Sequence, residues 1–100
     1  MHKPDCDLGP GDWVFVRADS YNAEGDPDRD TLGVSFKDAT HVLFSDPYDN
    51  WHKVSVRGKG RQRNGATWTL TGDEDAPTLH PSVENSVWHG WFKNGQMRDA

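Results

Sequence analysis

Val87-Trp88-His89-Gly90-Trp91-Phe92-Lys93-Asn94-Gly95-Gln96-Met97-Arg98 is the stretch whose reading decides the fold. Asn-Gly between two β-prone runs is the strongest short hairpin signal, because a type I′ turn needs positive φ at both central residues. A two-residue turn there pairs Lys93 with Gln96, Phe92 with Met97 and Trp91 with Arg98. Side chains alternate across a strand, so Phe92, Met97 and Trp88 share one face, while Trp91, Arg98 and His89 share the other.

Working back from the hairpin, Thr78 to Val83 reads as extended, since Pro81 disfavours the helical region at His80. Ala66-Thr67-Trp68-Thr69-Leu70-Thr71 sets Trp68 and Leu70 against three threonines, a pattern that suits a half-buried pleated surface. Trp51 to Arg57 alternates again, with His52, Val54 and Val56 on one side. His41-Val42-Leu43-Phe44 and Trp13 to Ala18 read as buried strands. Leu32–Phe36 reads as a further short strand, and residues 1–12 and 19–31 as irregular polar segments. No stretch has the periodicity of a helix. The expectation is one mainly-β domain over residues 1–100, a small antiparallel sheet or a zinc-ribbon-like or β-sandwich domain, with its β core over 41–98.

Composition sets limits on this fold. Leu, Val and Phe total 17 residues and Ile is absent, a thin supply for a chain of 100. Five tryptophans offset it, since one indole buries roughly 150–250 Å². The lone Cys6 excludes an internal disulfide and a cysteine-rich zinc site. There is no apolar N-terminal run of the Sec type, and no run approaching the roughly 20 apolar residues of a membrane helix. These features point to the cytoplasm and to no membrane partner. A net charge of −5 argues against a general DNA binder.

Residues 41–97 resemble a family of small proteins of unassigned function common in bacteriophage genomes, the domain-of-unknown-function 6527 family. The resemblance rests on the order of several pieces: His41–Phe44, Asp46-Pro47-Tyr48-Asp49, Trp51-His52-Lys53-Val54, Trp68 to Asp73, Pro77-Thr78-Leu79-His80-Pro81-Ser82, and Trp88-His89 before Asn94-Gly95. It implies phage origin and an ancestral zinc-ribbon-like architecture, with a metal held by knuckle cysteines and a Cys-His pair. Here Asp46, Asp49 and Trp88 stand where those cysteines would be. Indole packing by Trp51, Trp68 and Trp88 is the expected replacement for the metal, so no resident cofactor is expected. The alternative is zinc on Asp46, Asp49, His52 and His89, ligand types that suit it. A plainer reading is that Asp46 and Asp49 cap the turn around Pro47.

Asp26, Asp28 and Asp30 alternate as in a calcium loop, but Thr31 and Lys37 stand where Gly and Glu are required. Arg57, Lys59, Arg61 and Arg63 form a basic loop over 57–63 that could touch nucleic acid or an acidic partner, without any P-loop pattern. Ser82, Ser86 and His89 fit no nucleophile motif, so no enzyme is expected. The resulting expectation is a phage accessory protein that binds or inhibits a host or viral protein in the host cytoplasm. Its contact residues would be Trp91, Arg98 and His89 on the hairpin, with the basic loop as a second surface. A metal-binding domain and a virion component are the rival expectations, and the oligomeric state is left open.

Overall fold

The computed structural model describes residues 7–25, 27–57 and 67–100. It is mainly β, with strands β1 (Trp13–Tyr21), β2 (Pro27–Leu32), β3 (His41–Ser45), β4 (Trp51–Ser55), β5 (Thr69–Gly72), β6 (Pro77–His80), β7 (Val83–Glu84), β8 (His89–Lys93) and β9 (Gln96–Asp99). Among the described residues the one helical element is a 3₁₀ turn at Phe36–Asp38. The strands form three sheets ordered β2-β1-β3-β4, β5-β6 and β7-β8-β9, and the pairs within each are antiparallel.

The C-terminal hairpin has the register its turn demands: Lys93 opposes Gln96, Phe92 opposes Met97 and Trp91 opposes Arg98. Asn94 and Gly95 both take positive φ, as a type I′ turn requires. Phe92 is buried and Trp91 is exposed, which is the alternation expected of one wet and one dry face.

The dry faces meet in one core. Trp13 and Phe15 of β1, Val42 and Phe44 of β3, and Val54 of β4 pack with Leu70, Leu79, Val83, Trp88 and Phe92. Phe44 lies at the junction, edge-on to Phe92 at 5.4 Å and to Trp88 at 6.1 Å. β1 is buried on both faces over its first four residues, since Val14 and Val16 pack separately with Leu8.

Three expectations need correction. Residues 19–31 are not one loop, because β1 continues to Tyr21 and β2 occupies Pro27–Leu32. No apolar alternation marks β2. It is held as an edge strand by polar contacts: Asp28 to Ser20, Asp30 to Lys53 at 2.7 Å, and Thr31 to Asp19 at 2.7 Å. The expected strand at Leu32–Phe36 is instead the end of β2 and the approach to the 3₁₀ turn. Trp51 does not join the core and is 49% exposed, whereas Trp88 is buried and Trp68 packs partly against the core. Trp68 itself precedes β5, in a parallel bridge to Val56. Cys6, Asp26, Lys59, Arg61 and Arg63 lie outside the described residues.

Candidate functional site

Two groups of histidine, acid and hydroxyl or amide side chains flank the turn between β7 and β8, one inside the fold and one outside. The inner group starts at Asp46, which is fully buried beyond the end of β3. Its Oδ1 accepts the backbone N–H groups of Tyr48 and Asn50 at 2.8 and 3.0 Å, the Asx geometry that closes this turn. Its Oδ2 lies 2.8 Å from Nε2 of His52, one strand across. Burial pushes the Asp46 carboxyl up, but these hydrogen bonds outweigh it and hold the group below the usual carboxylate range.

The far nitrogen of His52, Nδ1, meets the side-chain amide of Asn85 at 3.0 Å. Asn85 Oδ1 already accepts the N–H groups of Val87 and Trp88 at 2.8 and 3.0 Å, so the amide NH₂ must face the ring. Nδ1 of His52 therefore accepts and Nε2–H donates to Asp46. This chain of bonds ties the β7–β8 turn to the sheet core. A carboxylate–histidine pair is half of a hydrolytic triad, but His52 is buried and both of its nitrogens are engaged, with no hydroxyl at either.

The outer group lies on the wet face of the β7–β8 pair. Glu84 stands directly opposite His89 in the register. Ser82, two residues before Glu84, shares its face by strand alternation. Ser82 Oγ is 3.4 Å from His89 Nε2, and Glu84 Oε2 is 3.9 Å from the same nitrogen. His89 is exposed and Ser82 half-buried, so the pair is open to a substrate. The Trp68 indole N–H donates to the Ser82 carbonyl at 3.4 Å, holding the backbone on its inner side. A serine hydroxyl against an accessible imidazole is the pairing that activates a nucleophile, and such contacts are commonly looser without substrate than the 2.6–3.2 Å of a working complex.

A groove of about 600 Å³ opens farther along the same face, lined by Thr78 and His80 of β6, Trp91 and Lys93 of β8, and Gln96 and Arg98 of β9. Trp91 and Lys93 follow His89 at alternate positions of β8, so all three project on one side.

The residues singled out from sequence fall in different places. Trp91, Arg98 and His89 do share the wet face of the hairpin. Arg57 does not display its charge in a loop: it lies 4.1 Å over the Phe36 ring and donates to the Phe36 carbonyl at 2.5 Å. Of the four residues considered for zinc, Asp46 and His52 touch, Asp49 instead accepts from Ser45 Oγ at 3.0 Å, and His89 faces Ser82. Among the described residues no group of three or more His, Cys, Asp and Glu side chains gathers as metal ligands. Nor is any helix among them long and apolar enough to cross a membrane. The seven-residue spacing of Ser82 and His89 matches no nucleophile motif, so their contact is not visible in the sequence. The missing signal was the pairing of two-residue β7 with β8.

No curated protein and no solved structure matches the chain significantly. A family model does match, and it overturns the resemblance to the phage family with the readings of phage origin and a host-directed inhibitor, and also the separate expectation, drawn from the spacing of Ser82, Ser86 and His89, that the chain is no enzyme. That model covers residues 16–100 and is described as BubE, bacterial ubiquitination-like system serine protease; the chain belongs to this family.

Proposed function

We propose that the protein is a serine-dependent hydrolase of peptide or isopeptide bonds, with Ser82 as nucleophile and His89 as general base. The observation that carries this reading is the open contact of Ser82 Oγ with His89 Nε2 on the wet face of the hairpin. The name of the family, a serine protease of a bacterial ubiquitination-like system, supports the same chemistry. A bacterial cytoplasmic location accords with that system.

In the reaction, Ser82 Oγ attacks the scissile carbonyl carbon as His89 Nε2 takes its proton. The tetrahedral intermediate collapses by breaking the C–N bond, and His89 returns the proton to the departing amine. Water then attacks the acyl ester with His89 again as base, freeing the carboxylic acid and restoring the Ser82 hydroxyl. Glu84 stands opposite His89, with its Oε2 3.9 Å from the same Nε2 that faces Ser82.

A fluorophosphonate probe tests the assignment. The wild-type protein is expected to form a covalent adduct that peptide mapping places on Ser82. Ser82→Ala should abolish it, and His89→Gln should slow it by at least about a thousandfold. Ser86→Ala serves as the control and should label like wild type. An adduct on Ser86, or labelling that persists in Ser82→Ala, overturns the proposal.

A further inference from the structure

We infer that the groove beside Ser82 and His89 is a specificity site for an extended peptide segment carrying aspartate or glutamate side chains. The inference rests on the hydrolase reading above for its orientation, and on the groove itself for its chemistry. β8 rises about 3.3 Å per residue, so Trp91 lies roughly 7 Å beyond His89 and Lys93 roughly 13 Å beyond it. Arg98 stands directly across from Trp91 on β9, and Gln96 across from Lys93. A peptide laid along β8 from the reacting pair therefore meets the indole and Arg98 about two residues from its scissile bond, and Lys93 about four residues from it.

The charge of this face is unusual for the molecule. The chain has a net charge of −5; of its other cations, Arg17 pairs with Asp19, Lys53 pairs with Asp30, Arg29 stands near enough to Asp19 to lower its carboxyl, and Arg57 is held by the Phe36 ring and carbonyl. Lys93 makes no ion pair with a described carboxylate, and Arg98 meets the neutral Gln96 side chain at 3.4 Å. Two uncommitted cations thus flank an exposed tryptophan along one side of a groove. Arg and Lys supply charge-assisted donors to carboxylates, and an indole gives the peptide stem an apolar surface to lie on. An acidic protein repels acidic peptides in general, so any preference for them must come from this local pair of cations.

The test uses the full chain with Ser82→Ala, so that peptides bind without turnover. Fluorescent octapeptides differing only in Glu, Gln or Lys at the second and fourth positions from a central bond are titrated at low and high salt. The Glu peptide should bind about tenfold more tightly than its Gln counterpart at low salt, and the margin should shrink as salt screens the pair. Adding Lys93→Glu and Arg98→Glu should reverse the order, so that the Lys peptide binds best. Equal binding of Glu and Gln peptides, or no reversal in the charge-swapped protein, overturns the inference. Fluorophosphonate labelling of wild type separates the two readings: labelling without acidic preference removes the groove assignment alone, and acidic preference without labelling removes the nucleophile alone.

Discussion

Asp46 and His41 are buried polar residues whose titration ties stability to pH. The Asp46 carboxyl is held low by hydrogen bonds from His52, Asn50 and Tyr48, against the opposing push of burial. Its ionised form is favoured in the folded state, so its contribution is complete above the ordinary carboxylate value of 3.8 and is lost as pH falls through the depressed folded value. The His41 imidazole is lowered chiefly by burial and further by Lys53. Unfolding therefore takes up a proton at His41 as pH drops below 6.5, which destabilises the fold in the same direction. Urea midpoints measured from pH 7.5 down to 3 should fall in two stages, a shallow one below about pH 6.5 and a steeper one at carboxylate pH. Asp46→Asn should remove much of the second stage and cost about 2–3 kcal/mol at pH 7, because a charge-assisted bond to a buried ring is lost. A midpoint that is flat between pH 7.5 and 5 would show that His41 is not buried as described.

Between elements, the close approach of β8 to its neighbours depends on Gly90. A Cβ built there would lie 2.1 Å from Cζ2 of Trp88 and 2.4 Å from the Arg98 carbonyl oxygen on β9. The indole lies against the strand and also donates Nε1–H to Asp99 at 2.9 Å, so it cannot swing away without breaking that bond. The Asp99 carboxyl also accepts the Tyr48 hydroxyl, which together with Trp88 holds it below the usual carboxylate range. Gly90→Ala should therefore cost about 2–3 kcal/mol by forcing the ring or β9 to move, in the range of overpacked cores. Chemical denaturation would measure the loss, and it should exceed that of Gly9→Ala, where the nearest atom to the added methyl is Asp12 Oδ2 at an ordinary 3.5 Å. Equal losses at the two positions would mean that Trp88 does not lie against β8. The same element fixes the candidate nucleophile, since β7 is only two residues long and is positioned by the Asn85 turn that His52 holds.

For the molecule as a whole, Phe44 links the four-stranded sheet to the hairpin, packing against His52 at 5.1 Å as well as Phe92 and Trp88. Phe44→Ala should cost about 3–5 kcal/mol, a large part of the roughly 5–15 kcal/mol that stabilises a domain of this size. Near-UV circular dichroism should lose its tryptophan bands at a lower temperature, and a wild-type melting curve would refute this account of the core. Much of this architecture was legible beforehand. The Asn94-Gly95 turn, the alternation at Trp51–Ser55 and the apolar run at Trp13–Val16 each carry their cause within a few residues. β2 was not legible, because Pro27–Leu32 is stabilised by hydrogen bonds to β1 and β4 rather than by an apolar face of its own. Trp51, the first residue of β4, falls by alternation on the face opposite His52 and Val54, so its exposure was decided locally, whereas the depth of Trp88 depends on its packing against Phe44. The sequence by itself determined that the chain is built of strands, where the last hairpin turns, and that Trp91, Arg98 and His89 share its wet face, because turn dihedrals and side-chain alternation act within one element. Tertiary structure alone brought Ser82 to His89, placed Asn85 on the buried His52, and opened a groove between β6 and the hairpin. These depend on which strands pair and in what register, and that choice is made by the packing of Phe44, Trp88 and Phe92 across sequence distances that no local rule spans.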